Sequence, residues 1–128
     1  MKPWVHAKSS AKTFGGKPED YIEIHNFLDS SKSVIVDNRH RALTHNSWFL
    51  SVVLERVFGV NITNSDGKLV SVRSVGEQHV GEDYHGFIPS AQDFLQEMEF
   101  LPWMMNGRSV PPSCARLYKK KKSKTTSD

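Results

Sequence analysis

Residues 33–59 read SVIVDNRHRALTHNSWFLSVVLERVFG. One set of side chains recurs in this stretch at alternating steps of four and three residues: Val36, His40, Leu43, Ser47, Leu50 and Leu54. Such steps keep side chains on one face of a helix, and a mainly apolar face packs against a core. Gly59 is a suitable residue to end the helix. The pattern predicts a helix over about residues 33–58 with His40 on its buried face.

A second helix is predicted immediately before this one. Residues 18–20 are Pro-Glu-Asp, which places proline in the first turn and carboxylates at the positive end of the helix dipole. Apolar side chains follow at helical spacing: Tyr21, Ile24, Phe27 and Leu28. The pattern predicts a helix over about residues 18–31. A chain reversal near Ser31 would pack the two helices against each other as a hairpin.

The spacing of apolar residues changes after the second helix. Residues 60–63 alternate, residues 64–67 read Asn-Ser-Asp-Gly and residues 69–72 alternate again, which is typical of a β-hairpin. Shorter helices are predicted at about 76–85 and 90–98. The predicted fold class is mainly α (α+β), with a central helical hairpin, one small β-hairpin and short C-terminal helices.

The composition is that of a globular domain with a modest core. The chain has 128 residues, of which 38% are hydrophobic. No apolar run approaches the roughly 20 residues of a membrane helix, and the first residues lack the apolar segment of a signal peptide. We therefore expect no membrane association. Cys114 is the single cysteine, which excludes a disulfide framework and a cysteine-rich zinc site.

Basic charge is concentrated at the end of the chain. The formal net charge is +3, and five lysines lie close together there: Lys119, Lys120, Lys121, Lys122 and Lys124. We expect one compact domain over residues 1–118 and a disordered lysine-rich tail over residues 119–128. The tail is suited to weak, salt-sensitive contact with nucleic acid, and equally to a role in solubility alone.

Three pairs of histidine and aspartate stand three or four residues apart: His25 with Asp29, Asp37 with His40, and His79 with Asp83. Residues at these spacings share one face of a helix. Imidazole and carboxylate groups aimed at one point are the material of a divalent-metal site or an acid–base centre. The hairpin would bring the first two pairs together near its turn, and the third would arrive from a separate segment.

These pairs define a hypothetical metal site. Its predicted ligands are His25, His40, His79 and Asp83. Asp37 would orient His40 or activate a metal-bound water, and Arg39 or Arg41 would bind phosphate. His45 lies five residues from His40, about 140° round a straight helix, so we assign it an orienting or surface role. The alternative is that the histidines form a buried structural network, and the sequence leaves both interpretations open.

Several stretches together resemble a known family: Phe14 to Tyr21, His25 to Ser31, Asp37 to His45, Leu54 to Gly59, Ile62 to Gly67 and Gly76 to Asp83. They are similar to a family of uncharacterised small domains found in bacterial and phage genomes, over about residues 4–104. The resemblance implies a single compact domain and a phage origin, and it supplies no catalytic residues. Histidine-and-aspartate phosphohydrolases are a weaker analogy, because this chain lacks their adjacent His-Asp dipeptide.

Three functions follow as hypotheses. The first is a small phage- or bacteria-encoded accessory or binding protein, with an unknown protein partner, whose polar cluster holds a divalent metal ion. The second is a metal-dependent hydrolase of phosphate esters in nucleotides or nucleic acid. The third is association with nucleic acid through the basic tail. We expect a cytoplasmic location, which is the host cytoplasm if a phage encodes the protein.

Overall fold

The computed structural model of the protein describes residues 1–106, with side chains to residue 104. Contacts group Met1–Leu95 into one unit, and a second unit begins at Gln96. The predicted domain end at residue 118 and the predicted lysine tail lie outside the described residues and stay predictions. No helix in the described part of the chain is long and apolar enough to cross a membrane.

Short helices make up most of the described chain. The α-helices are α1 (Pro3–Phe14), α2 (Ile22–Leu28), α3 (Arg41–Thr44), α4 (Leu54–Phe58), α5 (Val72–Asp83), α6 (Ala91–Leu95) and α7 (Trp103–Asn106). Single 3-10 turns cover Pro18–Asp20, Ser30–Ser33 and Asn38–His40, and a π-helical turn covers Phe49–Val53. Strands β1 (Asn61–Thr63) and β2 (Leu69–Ser71) pair antiparallel, with Ile62 opposite Val70. The predicted fold class, mainly α with a small β-hairpin, is confirmed.

The core lies where α1, α2 and α5 meet the helical segment 47–58. Leu50 and Leu54 are buried there, as their spacing predicted. Gly76 on α5 faces them, and a Cβ atom added to it would lie 2.8 Å from Leu50 Cδ2 and 2.7 Å from Leu54 Cδ2. A real Cβ atom does not approach so closely, so glycine at this position allows α5 to pack tightly against that segment.

The prediction of one continuous helix over residues 33–58 was wrong. Asp37 has an extended backbone and accepts a hydrogen bond from the backbone N–H of Arg39 at 2.8 Å, which starts a new helical segment. That segment ends at Thr44, and the side chain of Asn46 then accepts a hydrogen bond from the Phe49 N–H at 2.9 Å to start the next. The interruptions change the helical phase, so Val36 is 92% exposed although its spacing placed it in the core.

Candidate metal centre

Two histidine nitrogens and two carboxylate oxygens lie close to one another inside the first unit. His45 Nε2 lies 2.9 Å from Asp83 Oδ2 and 3.8 Å from Asp29 Oδ1. His79 Nε2 lies 3.5 Å from the same Asp83 oxygen and 3.3 Å from the same Asp29 oxygen. Ligands at about 2.0–2.2 Å from a tetrahedral metal ion are about 3.3–3.6 Å apart. The measured separations, 2.9–3.8 Å, bracket that range.

A fifth donor approaches the other oxygen of Asp83. His6 Nε2 lies 3.4 Å from Asp83 Oδ1, and the rings of His6 and His79 stack with 3.8 Å between their centroids. His6 is fully buried, yet its Nε2 atom has no hydrogen-bond partner. The donors thus form two overlapping groups of three that share His79: His6, His79 and Asp83, and Asp29, His45 and His79.

Each donor comes from a different part of the fold, except for one pair. His6 lies on α1, Asp29 directly follows α2, and His45 directly follows α3. His79 and Asp83 lie one turn apart on α5, and this i,i+4 spacing points both into the same space. Contacts of α5 with α1 and with α2 bring the segments together. The cluster is therefore a product of tertiary packing rather than of one local motif.

The outer ring nitrogens of the three donor histidines are all occupied. His6 Nδ1 donates to Glu82 Oε1 at 2.8 Å, and His45 Nδ1 shares a hydrogen bond with Thr44 Oγ1 at 2.8 Å. His79 Nδ1 is 2.9 Å from a ring nitrogen of His25. This leaves Nε2 of each ring directed at the carboxylates. A protein that binds a metal through histidine typically fixes the ring in this way, by hydrogen bonding its other nitrogen.

His25 completes a hydrogen-bonded chain behind His79. Burial, together with the neighbouring His79 and His6, lowers the pKa of His25 to about 3, so its ring is neutral at pH 7. One assignment that satisfies both nitrogens of His25 has His79 Nδ1–H donating to His25 Nδ1 and His25 Nε2–H donating to Ser10 Oγ, 2.7 Å away. The Ser10 hydroxyl then donates to Gln78 Oε1. In this assignment His79 Nε2 carries a lone pair facing Asp29 and Asp83, whereas with the protons reversed His79 Nε2–H donates to Asp29 Oδ1 at 3.3 Å.

Burial and charge act against each other at this centre. Burial alone would raise the pKa of Asp83, but its close contacts with His45 and His6 outweigh burial and hold that pKa well below its usual value. Burial lowers the pKa of His79, and the neighbouring Asp29 carboxylate opposes that shift. The two carboxylates are therefore ionised and His79 is neutral at pH 7. These are the protonation states in which carboxylate and imidazole bind a metal ion.

The predicted ligands have different positions relative to this cluster. His79 and Asp83 lie in it, and His25 supports it from behind. His40 lies beside it: His40 Nδ1 is 2.7 Å from Ser31 Oγ, and its ring meets that of His45 edge to face at 5.7 Å. Helical phase predicted the burial of His40, and only 1% of its surface is exposed.

Of the other predicted site residues, Asp37 and Arg39 lie away from the cluster and Arg41 contacts it. Asp37 and Arg39 form an exposed ion pair with each other at 2.8 Å, and the Arg39 guanidinium lowers the pKa of Asp37 to about 2. This pairing keeps Asp37 from the position beside His40 that its spacing suggested. Arg41 is the exception, since its Nη2 lies 3.7 Å from Asp83 Oδ1 and its guanidinium stacks over the Tyr84 ring.

Sequence reasoning missed three of the five donors. Asp29 was recognised only as a partner for His25. His45 was placed on the wrong face because a straight helix was assumed, although Asn46-Ser47 is a recognisable helix start. His6 gave no sequence signal, because its partners lie more than 70 residues away along the chain.

The chain was also compared with known proteins. No curated protein and no solved structure matches it. A family model matches residues 1–104, a range that contains every donor of the cluster. The chain therefore belongs to the family described as a domain of unknown function (DUF6915).

Proposed function

We propose that this domain binds a divalent transition-metal ion between Asp29, His45, His79 and Asp83, with His6 as a further donor. The observation that carries the proposal is the shared orientation of the three imidazoles, whose Nδ1 atoms are all hydrogen-bonded and whose Nε2 atoms all face the carboxylates. Nitrogen and oxygen donors without sulfur, at near-tetrahedral separations, favour Zn²⁺. The donor set would also accept Mn²⁺ or Fe²⁺.

A structural network is the competing explanation, and two buried atoms argue against it. A network held together by hydrogen bonds gains most when every buried polar atom is paired. Here His6 Nε2 and Asp29 Oδ2 are buried and have no hydrogen-bond partner. His6 Nε2 faces the Asp83 carboxylate without making a hydrogen bond to it. A metal ion would use the His6 lone pair that the network leaves unused.

A second candidate function is metal-dependent hydrolysis, and one observation favours it. Asp29 offers Oδ1 to the centre while Oδ2 makes no hydrogen bond. A metal ion lowers the pKa of its bound water so that hydroxide forms near neutral pH, and a carboxylate oxygen without a hydrogen bond is suited to orient that water and to accept its proton. The predicted protein partner and the predicted nucleic-acid contact of the tail remain predictions alongside it.

Metal content tests the proposal directly. The chain is purified without a histidine tag, stripped with a chelator, incubated with Zn²⁺ and desalted. We expect about one bound zinc per chain in the wild type and a large loss in His79→Ala, because His79 belongs to both groups of donors. His85→Asn is the matched control, since His85 is exposed and its positive φ of 55° is one that asparagine tolerates. Equal zinc content in all three proteins would contradict the proposal.

A further inference from the structure

We propose that the metal centre binds a phosphate-type anion on the side where Arg41, His40 and Lys32 meet it. This inference rests on the proposed metal site and names the class of ligand that the site would take. It begins from a lysine and an arginine side chain at the carboxylates: Lys32 Nζ lies 4.0 Å from Asp29 Oδ2, and Arg41 Nη2 lies 3.7 Å from Asp83 Oδ1.

Metal binding makes the centre net positive. Without an ion, the two aspartates and Glu82 carry three negative charges and Lys32 and Arg41 carry two positive ones, while Asp83 and Glu82 outweigh burial and raise the pKa of His6, which adds positive charge. A divalent ion adds two positive charges and displaces any proton from the histidines that bind it, so the loaded centre carries one net positive charge. A positive centre within a largely buried site attracts an anion more strongly than the same charge in water would. We therefore expect anion binding to depend on the metal.

Unused hydrogen-bond donors mark the place of the anion. Arg41 Nε is buried and has no hydrogen-bond partner, and the same is true of His40 Nε2. The ring of His40 is almost fully buried, and its pKa is lowered first by burial and then by His45, with smaller contributions from Lys32 and Arg41. The geometry brings the three groups together, because Ser31 hydrogen-bonds to His40 Nδ1 at 2.7 Å, Lys32 directly follows Ser31 and Arg41 directly follows His40. In the tautomer in which the Ser31 hydroxyl donates to Nδ1, the proton of the neutral ring sits on Nε2 and makes that atom a donor.

Neutralising the aspartates does not account for these atoms. A lysine and an arginine that served only as counter-ions would leave Arg41 Nε and His40 Nε2 buried without acceptors, which costs free energy. A phosphate group has enough oxygens to accept from Arg41, His40 and Lys32 together while another oxygen faces the metal. Arginine is also the side chain best matched to the geometry of phosphate. The ligand class is therefore inorganic phosphate or a phosphate monoester.

The test uses protein loaded with Co²⁺, whose visible spectrum reports changes at the metal, titrated with inorganic phosphate and followed also by calorimetry. We expect phosphate to bind the loaded wild type and to bind the metal-free protein at least about 10-fold more weakly. Arg41→Ala should keep its cobalt and lose at least about 10-fold in phosphate affinity, while the exposed Arg39→Ala should match the wild type. If Arg41→Ala does not fold, Arg41→Lys takes its place. It retains the charge without the guanidinium, and its phosphate affinity should lie below that of the wild type and of Arg39→Ala.

Each outcome decides a different claim. A chain that takes up no metal overturns both this inference and the proposed function. A loaded chain that does not bind phosphate, or that binds it equally well without metal, overturns only the anion site. Equal phosphate affinity in the folded Arg41 and Arg39 variants would show that Arg41 is not part of the anion site. Binding of phosphate but not of phenyl phosphate would restrict the site to the free ion.

Discussion

Zinc should raise the melting temperature of this domain, and His79→Ala should abolish most of that rise. His79 is chosen because both three-donor groups contain it, so its loss leaves neither group complete. At a zinc concentration 100 times the dissociation constant, binding adds about 2.7 kcal/mol to the free energy of unfolding. For a domain of about 100 residues this corresponds to a rise of roughly 10–20 °C.

The substitution reduces this effect by a calculable amount. Loss of a hydrogen bond that supports a ligand can weaken metal affinity by roughly 100-fold. Loss of the ligand itself should weaken zinc affinity by at least as much. At the same zinc concentration the variant would then be about half saturated, and zinc would add only about 0.4 kcal/mol, or roughly 2–3 °C. Because the substitution itself also changes the melting temperature of the zinc-free protein, the quantity compared is the zinc-induced shift within each protein.

Differential scanning fluorimetry with and without zinc, in a buffer free of chelating components, measures these shifts. His85→Asn controls for the loss of a histidine outside the cluster and should shift as the wild type does. The reasoning fails if the wild type gains less than about 3 °C at saturating zinc, or if His79→Ala gains as much as the wild type. Either result would leave the cluster as a structural hydrogen-bonded network.

Substitutions around the centre and in the core, and a change of pH, should have distinct effects. Glu82→Gln removes the carboxylate that accepts from His6, and it should lower zinc affinity about 10–100-fold in a competition assay; unchanged affinity would remove that support. His25→Ala should lower zinc affinity by a similar factor, because the ring that fixes the orientation of its neighbour is lost, and a Co²⁺ spectrum identical to wild type would argue otherwise. Zinc affinity should fall as the pH is lowered from about 7.5 to about 5.5, because protons compete for the imidazoles; a flat titration would count against histidine ligands. Gly76→Ala should destabilise the fold by about 1–3 kcal/mol in urea unfolding through overpacking, while Gly81→Ala on the same helix, with 3.8 Å to its nearest neighbour, should be neutral or stabilising.

Local patterns in the sequence predicted the local features of the fold. Leu50, Leu54 and Gly59 have the positions that their spacing indicated, and the Asn64–Gly67 turn joins two short strands. The error lay in joining residues 33–58 into one helix. A single side-chain hydrogen bond at Asn46 is enough to end one segment and begin another, and a helical wheel carries no information about such a break.

The same error led to the wrong prediction for His45 in the candidate site. Across an unbroken helix, His45 faces away from His40, and the interruption turns His45 into the centre instead. His79 and Asp83 were found correctly because α5 is continuous between them. His6 and Asp29 join them through packing between distant segments, which residue spacing does not encode. The supporting role of His25 depends on which of its nitrogens faces which neighbour, and this follows only from coordinates.

An anomalous-scattering map at the zinc edge, from crystals of the protein loaded with one equivalent of Zn²⁺, tests the metal centre most directly. We expect one strong peak about 2.0–2.2 Å from His45 Nε2, His79 Nε2 and a carboxylate oxygen of Asp29 or Asp83. A peak bound elsewhere, or no peak in a crystal whose protein has the cluster intact, would contradict it.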